Sequence, residues 1–62
     1  LIGHKFVVAS DISENKSGTV NYSGIVWRVE IDQDSEIKII KTGQTVIVSS
    51  VEVGLFRVKL VQ

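Results

Sequence analysis

Most of this chain is written in short apolar runs of period two, separated by glycine-containing turns, and nowhere does an apolar repeat run long enough for a helix. Between Ile25 and Ile31, the residues Ile25, Trp27, Val29 and Ile31 alternate with Val26, Arg28 and Glu30. Near the end, Phe56, Val58 and Leu60 alternate with Arg57 and Lys59. Successive side chains of a strand point to opposite faces, so this alternation predicts strands with one buried face. The chain is therefore predicted to be all-β.

Size sharpens that expectation. A chain of 62 residues holds one domain, spanning residues 1–62, and buries only about 60% of the surface its unfolded form exposes. It contains no Cys, so neither a disulfide nor a thiolate-bound metal can staple it. The core must come from apolar residues, 44% of the sequence and rich in Val and Ile, which suit a pleated surface. Curling a small sheet into a barrel hides the edges it can least tolerate.

The strands can be placed one by one. Lys5 to Ser10 is the first, centred on Phe6, Val7 and Val8, and the polar stretch Asp11 to Ser17 is a loop. Gly18 to Tyr22 and Ile25 to Ile31 form a hairpin across the two-residue link Ser23-Gly24. Trp27 is expected to anchor the core. Asp32 to Glu36 is a polar loop, Glu36 to Ile40 a short strand or one helical turn, and Lys41-Thr42-Gly43-Gln44 a turn. In Thr45 to Val53 the apolar phase shifts: Val46 and Val48 share one parity, Val51 and Val53 the other. One extra residue at Ser49-Ser50 would bring both pairs to one face, as a β-bulge does. A tight turn at Gly54 leads into the last strand, Leu55 to Val61. Five strands, two hairpins and a bulged long strand predict a small five-stranded OB-fold-type barrel. Asp32 to Gln44 is too short and polar for the helix that usually joins strands three and four, so that helix should be missing or reduced to a turn. On strand count alone, a small SH3-like barrel is the nearest competitor.

The chemistry in the sequence is sparse. Seven basic and seven acidic residues cancel, leaving no long-range field to attract phosphate polymers. No apolar run is long enough to span a bilayer, and Leu1 to Ser10 lacks the basic start and cleavage site of a signal peptide. The start at Leu1 rather than Met suits a piece excised from a longer protein. His4 is the one His, and without Cys a zinc site is not expected. Ser10, Asp11 and His4 include the residue types of a nucleophilic triad, but no nucleophile-turn motif surrounds any Ser. Glu30, Asp32, Asp34 and Glu36 alternate in acidity without the mid-loop Gly of a calcium loop, so a solvated loop is the better reading. Single-stranded nucleic acid needs a basic groove and aromatic platforms. Of the aromatics Phe6, Tyr22, Trp27 and Phe56, Tyr22 alone is expected to be exposed, which makes a poor platform. No helix is present to offer an N-terminus to phosphate, and no catalytic, cofactor or metal site is expected.

Beyond these local readings, several motifs recur in order: Leu1-Ile2-Gly3, Phe6-Val7-Val8, Gly18-Thr19-Val20, Gly24-Ile25-Val26-Trp27-Arg28-Val29, Ile40-Lys41-Thr42-Gly43-Gln44-Thr45-Val46 and Gly54-Leu55-Phe56-Arg57-Val58. In spacing and sequence, the set resembles the soluble C-terminal domain of NfeD-family membrane proteins, over nearly the whole chain. That resemblance implies a five-stranded OB barrel carried behind transmembrane helices and partnered by stomatin- or flotillin-type membrane scaffold proteins. Some relatives also carry a separate serine-protease domain, none of it within these residues. The expected function is a non-enzymatic interaction domain, membrane-anchored through segments outside this sequence and facing the cytoplasm. Contacts are expected on the Asp11 to Ser17 and Asp32 to Gln44 loops and at Tyr22, Arg28, Arg57 and Lys59, since loops on rigid scaffolds and Arg and Tyr side chains favour binding. Self-association is a further expectation for such a domain. The alternatives are an OB-fold single-stranded nucleic-acid-binding module and a fragment of a larger hydrolase whose activity lies elsewhere.

Overall fold

The two predicted hairpins form the centre of the fold. The computed structural model of the chain describes residues 2–61, so Leu1 of the Leu1-Ile2-Gly3 motif lies outside the described residues. In chain order the elements are β1 (Lys5–Val7), β2 (Ile12–Ser13), β3 (Gly18–Tyr22), β4 (Ile25–Ile31), β5 (Ile39–Ile40), β6 (Thr45–Glu52) and β7 (Leu55–Leu60), with no helix among the described residues. Five strands make one sheet in the order β1-β6-β7-β4-β3, and β2 pairs with β5 in a separate two-stranded piece. All pairings are antiparallel except β4 with β7, which run parallel with Glu30 opposite Arg57. The sheet is strongly curled, and its edge strands β1 and β3 are not paired to each other, so it forms an OB-like half-barrel.

Local sequence dictates the turns. Ser23 (φ 53°) and Gly24 (φ 79°) both take the left-handed conformation between the paired residues Tyr22 and Ile25. That is the type I′ geometry whose twist matches two antiparallel strands. Gly54 (φ 70°) turns β6 into β7, and its carbonyl accepts from Arg28 N at 2.9 Å, starting the parallel ladder.

The predicted bulge is present. Pairing between β6 and β7 slips by one residue between Val48 and Ser50. Val46 and Val48 on one side are fully buried, and Val51 on the other packs against the same core. Val53 belongs to the turn instead, fully exposed at its tip, so it does not rejoin the inner face as its parity predicts. The displaced Ser49 is not idle: its hydroxyl faces the Asp32 carboxylate at the end of β4 and lies 3.2 Å from the Arg57 carbonyl.

The core comprises Val8, Ile12, Val29, Ile40, Val46, Val48, Phe56 and Val58, and no polar or charged residue is buried among the described residues. Two of these, Ile12 and Ile40, come from the β2–β5 clip. The first strand ends at Val7 rather than Ser10, because the chain turns after Val8 to place Ile12 against the core. Gly18 permits the approach: a Cβ there would meet Ile12 Cγ1 at 3.0 Å. The β5 half of the clip lies in the connection between β4 and β6, where no full helix is expected, and of the two options for Glu36 to Ile40 the short strand is realised.

Phe56 organises the aromatic residues. The Trp27 ring stacks on it at 4.4 Å with an interplanar angle of 5°, and Tyr22 meets it edge-on at 6.2 Å. Phe56 is buried, whereas Trp27 is only half-buried against the core. The anchor is thus Phe56 rather than the expected Trp27, which serves as its cover. Trp27, Val29 and Ile31 do share the inward face, but Ile25, beside the turn, is 59% exposed.

Phe56→Ala should cost about 3–5 kcal/mol and Ile12→Ala about 2–4 kcal/mol, against a total of roughly 3–9 kcal/mol for a domain of this size. Trp27→Ala should cost less, about 1–3 kcal/mol. Urea unfolding of the three variants checks the order; an Ile12 variant as stable as the parent would show that the clip is not part of the core.

Candidate interaction surface

The two loops expected to carry contacts are brought together. Ser13 to Ser17, between β2 and β3, faces the Asp32 to Lys38 connection across a polar groove of about 450 Å³ floored by Arg28, Glu30 and Ile31. Lys38 reaches across it to Glu14 at 3.6 Å. On the floor, Arg28 pairs with Glu30 at 3.0 Å while its side chain stays 65% exposed. On the far side of the same connection lies a second, shallower groove of about 370 Å³ bordered by Asp34, Ser35, Glu36, Ile37, Lys59 and Leu60. Asp32 to Ile37 is therefore a ridge between two grooves.

The ridge is built from its own sequence. Asp32 caps it: Oδ1 accepts from Asp34 N at 2.8 Å and the main-chain carbonyl accepts from Ser35 N at 3.0 Å. Such an Asx turn is the habitual use of Asp in a bend. Ser35 Oγ accepts from Ile37 N at 3.2 Å, and Ile37 packs on the core. The second Asp32 oxygen takes the Ser49 hydroxyl, so one carboxylate fastens the ridge to the bulge. A similar clasp holds the preceding loop. Asp11 Oδ1 accepts from both the backbone N–H and the hydroxyl of Thr42, each at 2.8 Å, and Lys41 lies 3.6 Å from Oδ2.

Both carboxyls are held below the usual aspartate range. For Asp11 the causes are the Thr42 backbone N–H, then its hydroxyl, with the Lys41 charge a smaller contribution. For Asp32 they are the Ser49 hydroxyl and the Asp34 N–H, helped by the charges of Lys59 and Arg57.

The four residues picked as contacts do not form one site. Arg28 lies on the groove floor and Lys59 borders the second groove. Arg57 lies between β4 and β6 on the outer face, ion-paired with Glu52 and only 29% exposed. Tyr22, expected to be the exposed ring, is half-buried on the inner face, between Phe56 and His4. The hairpin explains this: Gly18, Val20 and Tyr22 share the parity that faces Val29 and Trp27.

The groupings considered for chemistry are dispersed. The His4 ring lies against Phe6 and Tyr22, while Asp11 is committed to Thr42 and Lys41, so Ser10, Asp11 and His4 form no relay. Glu30 turns to Arg28 and Asp32 to Ser49, and no group of three His or acidic side chains converges among the described residues. No aromatic ring lines the groove, and Arg28 and Lys38 pair within it with Glu30 and Glu14. Among the described residues, no helix is long and apolar enough to cross a membrane. Sequence reasoning missed the groove itself, because Glu14 and Lys38 meet only through the fold.

Strand order, the single parallel pair and the bulge define an OB-type domain. Among solved structures, the chain is similar to the C-terminal domain of stomatin operon partner protein 1510-C from Pyrococcus horikoshii, with a TM-score of 0.73 and 20% identity, over 98% of this chain and 88% of that one. That protein is of NfeD type. No protein-family profile and no curated sequence matches the chain.

Depressed carboxyl pKa values stabilise the fold above the unfolded value near 4, and that stability is lost as pH falls through the lower folded values. The thermal midpoint should be flat above about pH 5 and drop below about pH 4. In Asp11→Asn and Asp32→Asn the drop should be shallower; an acid limb unchanged in both would show that neither carboxylate is held as described.

Proposed function

We propose that this chain is the C-terminal domain of an NfeD-like integral membrane protein, and that it serves as a non-enzymatic docking module for a stomatin- or flotillin-type scaffold protein on the cytoplasmic side. The observation that carries this reading is the likeness of the whole domain, from β1 to β7, to the corresponding domain of a stomatin operon partner protein. The ordered motifs from Gly18-Thr19-Val20 to Gly54-Leu55-Phe56-Arg57-Val58 support it independently, since they do not depend on the superposition. The ridge from Asp32 to Ile37 and its two grooves supply the contact surface. It combines rigidity, through the Asp32–Ser49 clasp, with exposed charge at Arg28, Lys38 and Lys59.

The nucleic-acid reading draws no support from this surface. Arg28 and Lys38 are paired with Glu30 and Glu14, and no aromatic ring lines either groove. A salt-sensitive binder needs unmatched cations that release counterions from phosphate.

The test is binding of the domain, by calorimetry or surface resonance, to the soluble part of a stomatin-type protein. Wild type should bind, and Arg28→Glu combined with Lys38→Glu should weaken binding at least about tenfold, the size expected of a charged contact. Both residues are exposed, so the fold should survive. No binding to any stomatin- or flotillin-type protein, together with salt-dependent binding of a single-stranded oligonucleotide, would replace this function with the nucleic-acid one.

A further inference from the structure

The ridge lies at one end of the barrel, and the opposite end is built of different material. β4 and β7 run parallel, so the Ser23-Gly24 turn ahead of β4 and the Val53-Gly54 turn ahead of β7 project from the same end. The Gly54 carbonyl, which takes the Arg28 N–H, sets the two turns side by side. β1 runs antiparallel to β6, so the chain enters the domain from this end too, and His4 lies 5.3 Å from Tyr22, beside the first turn. Three stretches meet here: Ile2 to His4, Asn21 to Trp27 and Val53 to Phe56. None contains an acidic residue, Lys or Arg. Of the six large apolar residues exposed among the described residues, four belong to these stretches: Ile2, Ile25, Val26 and Val53, the last fully exposed. Tyr22 and Trp27 lie half-buried at the same end. Apolar residues exposed singly are ordinary, whereas a charge-free cluster of them marks a contact.

We propose that this end of the barrel is a lipid contact, at which the two hairpin tips, Ile25-Val26 and Val53, seat in the interfacial layer of a bilayer. The choice of occupant rests on the proposed function, because a domain that follows transmembrane helices has its point of entry nearest the membrane. Ile2 and Gly3 are that point, and the tips project from the same end. The chemistry agrees. Branched aliphatic tips partition into the acyl boundary, and Trp and Tyr rings, apolar with one polar atom, favour the headgroup level behind them. The bordering charges do not oppose insertion. Glu52 pairs with Arg57 and Arg28 with Glu30, while Lys5 is long enough to keep its charge among the headgroups. Recognition of a particular protein draws on complementary charge; a bilayer needs only apolar area, and that is what the tips supply. The length of β4, roughly 20 Å of strand, separates the tips from the ridge, so both ends can be occupied at once. The contact need only be weak, since a tether holds such a domain at an effective concentration on the order of millimolar.

The experiment exploits the absence of Cys from the chain. Val53→Cys at the tip and, separately, Gln33→Cys on the ridge carry an environment-sensitive fluorophore and are titrated with phosphatidylcholine vesicles up to millimolar lipid. The Val53→Cys label should brighten and shift to the blue, and the Gln33→Cys label should not respond. Flotation of the unlabelled chain with the same vesicles gives a second readout. Binding should survive high salt, because no charge drives it. Val26→Asp combined with Val53→Asp should lower it at least about tenfold, with the thermal midpoint kept, since both positions are exposed. No binding at millimolar lipid, an equal response of both labels, a requirement for anionic lipid, or an aspartate variant that floats like the parent would each overturn the proposal. So would a response of the Val53→Cys label that rises with protein concentration without lipid, the mark of a second copy. Arg28→Glu with Lys38→Glu should leave vesicle binding unchanged, so failure of the lipid contact and failure of docking at the ridge appear in different variants.

Discussion

One inserted residue sets the curvature of this domain. Without Ser49 as a bulge, β6 would present Val46 and Val48 to one side and Val51 to the other, and no single core could use all three. With it, β6 bends and stays apolar on its inner face through both halves. The bend carries β7 around far enough to pair in parallel with β4, the contact that distinguishes this topology from a simple meander. Asp32 makes the bulge specific. Its carboxylate takes the hydroxyl of the displaced serine, so the irregular point of one strand is tied to the end of another. A hydrogen bond to a charged acceptor is roughly twice as strong as a neutral one, and here it also fixes where the loop after β4 begins.

A domain this small, without cysteine, has little apolar material to spare. The sheet alone would leave one end of its concave face open. Two isoleucines from opposite sides of the chain cover it, Ile12 from the first loop and Ile40 from the last connection. Gly18 is what lets Ile12 sit so close. At the other end, aromatic rings stack in sequence from Trp27 through Phe56 to Tyr22 and His4. Stacked and edge-on rings contribute beyond their buried area, which suits a place where the strands splay and no aliphatic layer is complete.

Much of this was legible in the sequence, and the physical reasons can be named. β3 and β4 are readable to the residue because alternation over seven positions and a Ser-Gly turn agree. The bulge is readable because an apolar strand that changes parity midway can keep both halves on one core only by inserting a residue. The clip is readable only in its β5 half, as one of two options for Glu36 to Ile40; two residues cannot display a period, and a lone Ile12 in a polar stretch looks like a loop residue. The rank of Trp27 and Phe56 is also hidden. Parity says which way a ring points but not how deep the neighbouring strand buries it, and Phe56 gains depth from lying between β4 and the bulged half of β6. Expecting Tyr22 to be exposed treats the end of a strand as its rim, when its parity already sets it beside Val20. Of the surface, Arg28 and Lys59 were identifiable as exposed, but their division between two grooves depends on the path of Asp32 to Ile37.

That path is set by a few fixed points. The connection from β4 to β6 holds no helix among the described residues. Here the connection is pinned at Asp32, closes the barrel with Ile40 and rises between those points as a narrow ridge with a groove on each side. That ridge is the surface on which the docking proposal rests. Two carboxylates act as clasps: Asp11 on Thr42, Asp32 on Ser49. The shape of the ridge and the stability of the fold therefore draw on the same carboxylate, that of Asp32. Loosening the Asp32 clasp would free a carboxylate and at the same time blur the shape of the ridge that it holds.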